Sequence, residues 1–248
     1  MSSKKIKLSG VIAAFILYII LSNSTAAVET IRSDEALKLI NEGNARFIEM
    51  KLQHPNETID QREKTAMDGQ KPFAAVLACS DSRVPVEAIF DRGIGDIFVI
   101  RVAGNIAIDS SVIGSIEYAA EHLKSPLLVI MGHTDCGAVK AAISGPALEG
   151  SIRDIQKEIE PIAVKTKKEH PDLSGPDLIN AVIKNNVLQA KTDILSKSYL
   201  IKEMVAAGKL KIATAVYNIK TGKVEWIVMT KTLRTVSPTS HKAPFKKK

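Results

Sequence analysis

Three stretches of the chain are apolar almost without interruption: Phe73–Cys79, Ile97–Arg101 and Leu127–Gly132, each ending on polar or small residues. Such runs suit strands buried on both faces, as in a parallel sheet. Leu210–Tyr217 reads as a fourth strand. Thr221-Gly222 then supplies a turn into Val224–Val228, which should pair antiparallel with it. Helical spacing fills the intervals. Ser33 can cap a helix whose apolar positions are Leu37, Ile40, Phe47 and Ile48, with an interruption at Gly43-Asn44. His54–Lys71 reads as loop plus a short helix. Val112, Ile113, Ile116, Ala119, Ala120 and Leu123 mark an amphipathic helix capped by Asp109 or Ser110. A short helix follows Cys136. Ser151 and Asp154 suggest a capping box for another, which Pro161 should kink or end. Pro176 opens a long helical stretch closing near Gly208. The fold class predicted is α/β: a mostly parallel central sheet, about four parallel strands plus an antiparallel edge strand, flanked by helices.

The ends of the chain read differently from its body. Lys4, Lys5 and Lys7 precede an apolar run of 11 residues, Val11–Leu21, and then Thr25-Ala26-Ala27. That is the pattern of a cleavable signal peptide over 1–27, which places the mature chain in a periplasm or outside the cell. The run falls short of the about 20 apolar residues a bilayer span needs, so no stable membrane insertion is expected after cleavage. The net charge of +7 is also an affair of the ends. Three charges belong to the leader lysines and four to Lys242, Lys246, Lys247 and Lys248, which leaves the body neutral. With only 4% aromatic residues, a nucleic-acid groove is not expected. The balance of 45% apolar to 25% charged residues excludes a disordered or collagen-like chain. The reading is one domain over 28–235, with 28–65 as an N-terminal helical arm and 236–248 as a basic tail.

The candidate chemistry gathers where the predicted strands end. Cys79 closes the first, Arg101–Asn105 follows the second, and His133 and Cys136 follow the third. In open α/β sheets, ligands bind beyond the carboxyl ends of the strands. Two thiolates and an imidazole suit zinc, and three protein ligands leave a fourth position open, the catalytic pattern. Cys79 and Cys136 are also the only cysteines, and in an oxidising compartment a disulfide between them is the plain alternative. Spacing alone leaves both open. Gly93-x-Gly95 is no nucleotide loop, since it lacks a third glycine and precedes a strand.

Cys79-Ser80-Asp81-Ser82-Arg83, Arg101-Val-Ala-Gly-Asn105, Gly114-Ser-Ile-Glu-Tyr118 and Gly132-His-Thr-Asp-Cys-Gly137 together resemble the β-class carbonic anhydrases, in their open-site plant and bacterial form. Gly43-Asn-Ala-Arg-Phe47 and Gly69-Gln-Lys-Pro72 extend the likeness, which runs from about residue 33 to 230. The resemblance implies one Zn2+ per chain on Cys79, His133 and Cys136, with water or hydroxide as fourth ligand. It implies that zinc-bound hydroxide reversibly hydrates carbon dioxide to bicarbonate and a proton. Arg83 would hold Asp81 off the metal so that Asp81 orients the hydroxide; in a closed state Asp81 would itself become the fourth ligand. Gln70 would donate to a substrate oxygen. Phe98, Ala103 and Tyr118, with Gly104 and Asn105, would line a pocket usually shared between two subunits. Ala103 is smaller than the aliphatic residue of some members. A homodimer or dimer of dimers would follow, with the arm wrapping a partner. Carbonyl sulfide or carbon disulfide hydrolysis would use the same site. A non-catalytic zinc-stabilised binding module would have no need of Asp81, Arg83 and Gln70, and a thiol oxidoreductase lacks its Cys-x-x-Cys. None of His54, His122, His170 and His241 stands out as a proton shuttle.

Overall fold

The five strands form one sheet in the order β2-β1-β3-β4-β5. They are β1 Ala74–Ala78, β2 Ile97–Arg101, β3 Leu127–His133, β4 Lys211–Tyr217 and β5 Val224–Trp226. The first four run parallel and β5 pairs antiparallel with β4. The structure, a computed structural model, describes residues 31–227. The leader over 1–27, the end of the last predicted strand at Val228, the tail over 236–248 and His241 lie outside them. Central β1 and β3 are buried at every residue, as their unbroken apolar runs require, whereas β2, at the edge, is only half-buried.

Successive side chains of a strand face opposite ways, and this divides the core. Ala74, Val76 and Ala78 of β1 meet helices α1 (Ser33–Ile48) and α3 (Val86–Ile89) on one face. Helix α2 (Ile59–Asp68) lies between these in sequence and buries no residue. Ala75 and Leu77 meet the other face, covered by α4 (Ser110–Glu117) and by α7 (Gly175–Lys197) and α8 (Tyr199–Ala206). A third cluster, built from α5 (Gly137–Ser144), α6 (Ile152–Glu169) and α7, closes over the carboxyl end of the sheet and contains Cys79 and Cys136. Among the described residues no helix is long and apolar enough to cross a membrane.

Several expected boundaries move. Arg32, not Ser33, takes the cap position of α1, and the helix runs straight through Gly43-Asn44. A Cβ on Gly43 would stand 1.7 Å from the Phe90 carbonyl oxygen, so glycine there permits helix docking rather than helix interruption. Buried Asn44 donates to the carbonyls of Ile89 and Gly222 and accepts from the Val224 amide. The arm helix α1 thus packs Ala36 and Ile40 on its own sheet. Asp109 is the cap of α4, accepting from the Ser111 and Val112 amides. Ser151 makes no side-chain cap bond, so the capping box is absent. Helix α6 also continues through Pro161. An interior proline costs about 3 kcal/mol; on either side of it Ile159, Ala163 and Thr166 are buried and hold the helix in place. The last long helical stretch breaks at buried Ser198, whose extended backbone and hydroxyl cap α8.

Candidate metal centre

Parallel pairing of β1 and β3 sets Ala78 beside Met131, so Cys79 and His133 leave the sheet side by side. Cys136 returns to them after a tight turn in which Asp135 adopts a left-handed φ of 61°, and it caps the N-terminus of α5. The ligand atoms of Cys79, His133 and Cys136 all lie within 4.8 Å of one another, and all three side chains are buried. Both cysteines are free thiols, so the disulfide alternative is not the arrangement found.

The imidazole decides what this cluster fits. His133 Nδ1 lies 2.9 Å from the Thr134 carbonyl oxygen, which can only accept, so Nδ1 carries the proton. Nε2 then presents a lone pair, and it is buried without a hydrogen-bond partner. An orphaned, oriented nitrogen beside two thiols is the donor set of a zinc ion, with the Thr134 carbonyl fixing the tautomer. The thiols themselves call for a cation. A hydrogen bond from Cys136 holds Cys79 well below the usual thiol range, aided by the amides of Asp81 and Gly104 against the effect of burial. The same bond, burial and the Cys79 charge push Cys136 up.

The Gly104 amide donates to Cys79 Sγ at 3.3 Å. Its φ is +72°, and a Cβ would come within 2.9 Å of Ile159 Cδ1, so this close approach needs glycine. Asn186 of α7 holds the Gly104 carbonyl at 2.8 Å.

Asp81 stands at the rim of the cluster, its Oδ2 3.8 Å from His133 Nε2. Arg83 grips it at two points, Nε to Oδ1 at 3.0 Å and Nη2 to Oδ2 at 2.8 Å. The Arg83 hydrogen bonds keep the Asp81 carboxyl far below the usual carboxylate range, despite partial burial. Three further charged residues join in, to which the motifs alone assign no task. Arg101 donates to the carbonyls of Cys79 and Asp81, at 3.1 and 2.6 Å, and so shapes the ligand loop. Asp135 accepts from Arg83 Nη1 at 3.1 Å, and Lys140 donates to Asp135 at 2.6 Å.

Comparison with known proteins agrees with this donor set. The family profile described as carbonic anhydrase matches residues 74–224. Carbonic anhydrase 2 of Mycobacterium tuberculosis is 38% identical over 192 residues, covering 76% of this chain and 89% of that one. The chain belongs to the β-carbonic anhydrase family. Its function is that of a carbonic anhydrase. The carbonic anhydrase of Mycolicibacterium smegmatis is likewise 38% identical, over 194 residues, covering 77% of this chain and 91% of that one. Among solved structures, the β-carbonic anhydrase CafA of Aspergillus fumigatus superposes with a TM-score of 0.63 at 26% identity, covering 78% of this chain and 89% of that one. Coccomyxa β-carbonic anhydrase in complex with acetazolamide gives 0.60 at 26% identity, with coverage of 67% and 80%.

Of the remaining residues expected at a β-carbonic anhydrase site, only Gly104 touches the cluster itself. Phe98, on edge strand β2, packs its ring 5.9 Å from that of half-exposed Tyr118, which stacks on His122. Ala103 and Gly104 sit on the turn beside Cys79, with Ala103 half-buried. Asn105 is 2% exposed with a left-handed φ of 46°, and its Nδ2 is buried without a partner. Gln70 is exposed, ahead of β1. Within one chain the fold therefore unites Cys79, His133, Cys136, Asp81, Arg83 and Gly104, and leaves Gln70 and Tyr118 facing outward.

Proposed function

We propose that the chain reversibly hydrates carbon dioxide to bicarbonate and a proton at a zinc ion held by Cys79, His133 and Cys136. The observation that carries this reading is the orphaned Nε2 of His133 between two free thiols, with a clamped carboxylate at the rim. Zinc there would supply a water acidified toward a pKa of about 7, and so a nucleophile near neutral pH. Asp81, kept ionised by Arg83, has acceptor capacity only. It would accept a hydrogen bond from the attacking oxygen, without removing the proton, and so would turn that oxygen's lone pair toward the substrate carbon. Gln70 donates to the substrate oxygen on which charge grows. Because Gln70, Phe98 and Tyr118 lie toward the surface of one chain, this reading has a second copy completing the pocket, in a homodimer or a dimer of dimers. The solved relatives from Sordaria macrospora are described as tetrameric. Export with cleavage near Ala27, into a periplasm or the medium, belongs to the same reading and rests on the leader pattern alone.

The test is carbon dioxide hydration by the purified mature chain, assayed with and without a chelator and beside carbonyl sulfide. Hydration that is lost with the chelator and restored by zinc is expected. Turnover of carbonyl sulfide alone, or zinc binding with no turnover, would overturn the assignment.

A further inference from the structure

Arg83 has a weak position for the task it is given. Its side chain is 47% exposed, and solvent screens most of what an exposed ion pair contributes. Holding a long arginine side chain in one geometry also costs rotamer entropy. Yet the carboxylate it must restrain stands 3.8 Å from the ligating nitrogen of His133, where a divalent ion would attract it. What steadies Arg83 is a network and not one buried partner, since Asp135 and Lys140 are themselves 51% and 44% exposed. Asp135 takes Nη1 on its carboxylate at 3.1 Å, and its carbonyl oxygen lies 3.4 Å from Nη2. The other Asp135 carboxylate oxygen is held by Lys140 Nζ at 2.6 Å, from the first turns of α5. Asp135 belongs to the two-residue link between His133 and Cys136, so this second anchor is built in register with the ligands themselves. The guanidinium is thus spanned by two carboxylates, one on each ligand loop.

We propose that Asp135, backed by Lys140, is a positioning residue that braces Arg83 from the far side and so keeps Asp81 off the metal. The proposal rests on the zinc reading above. Without the brace, Arg83 releases Asp81 for part of the time, and Asp81 competes for the open coordination position.

Two measurements on the full mature chain test this. The first substitutes cobalt(II) for zinc and titrates the open position with azide, followed by visible absorption. The second is carbon dioxide hydration by the zinc form. Asp135→Ala is expected to need about fivefold more azide for the half-change, since apparent affinity falls with the competent fraction. It should also lose a similar factor in kcat at unchanged zinc content. Lys140→Met should shift both in the same direction by less, and Asp135→Glu should recover most of the loss. Adding Asp81→Ala to Asp135→Ala should return the azide titration to that of Asp81→Ala alone. Azide half-points within about twofold of the parent chain in both Asp135→Ala and Lys140→Met would overturn the brace. If Asp135→Ala fails to bind cobalt, Lys140→Met decides alone. A parent chain that responds to azide but hydrates nothing would sink the hydration reading, while the azide series would still judge the brace.

Discussion

At the residue scale the site depends on atoms that have been placed, not merely included. Gly104 is the sharpest case. Its amide reaches Cys79 Sγ only because the backbone takes a left-handed turn with no Cβ in the way. In Gly104→Ala, left-handed strain of about 1–2 kcal/mol adds to a clash with Ile159. The expected outcome is a protein of lowered melting temperature whose zinc leaves faster to a chelator, read by a colorimetric zinc indicator; unchanged release would show that the amide does not matter. The convergence of Cys79, His133 and Cys136, with the Asp81–Arg83 pair at its rim, was legible because these residues lie in two short segments directly after predicted strands. Arg101, Asp135, Lys140 and Asn186 were not. Arg83 meets Asp135 across 52 residues and Asn186 meets Gly104 across 82, and no local periodicity encodes such contacts.

At the element scale the question is what seats the arm helix α1 on the sheet. Buried Asp91, just after α3, accepts from Arg46 of α1 at 2.5 Å and from the amides of Gln53 and His54. Burial pushes its carboxyl up, but Arg46 and those amides outweigh this and hold it below the ordinary carboxylate value. A carboxyl lowered on folding stabilises fully above its unfolded pKa of about 3.9, and that share is lost as pH falls through the lower folded value. Urea midpoints should therefore drop as pH is taken from about 5 into the acid range. Asp91→Ala should cost about 2–3 kcal/mol at neutral pH, by leaving Arg46 and the Gln53 and His54 amides without their acceptor, and should flatten the acid drop. A variant with the parent's pH slope would assign that slope to other groups. β1 and β3 were predicted to within a residue at each end, because strands buried on both faces read as unbroken apolar runs. Helices α1 and α6 run through Gly43 and Pro161 because tertiary burial overrode local propensity, whereas the break at Ser198 is a local serine cap that the sequence reading passed over.

At the scale of the whole molecule, the strand order brings distant segments to one crevice. β1 lies between β2 and β3, so the segments after all three, spread along the chain from Cys79 to Cys136, meet at the carboxyl end of one sheet. α5, α6 and α7 then exclude water from the thiols. A single chain builds the ligand set completely and leaves Gln70 outside it, which is why the ligands can be judged without a partner. The most direct measurement is X-ray absorption at the zinc edge of the purified protein, with metal content determined on the same sample. The account expects one zinc per chain with two sulfurs at about 2.3 Å and nitrogen or oxygen at about 2.0–2.1 Å. Zinc seen with no sulfur neighbours, or a protein that hydrates carbon dioxide with its two sulfurs bonded to each other, would contradict it.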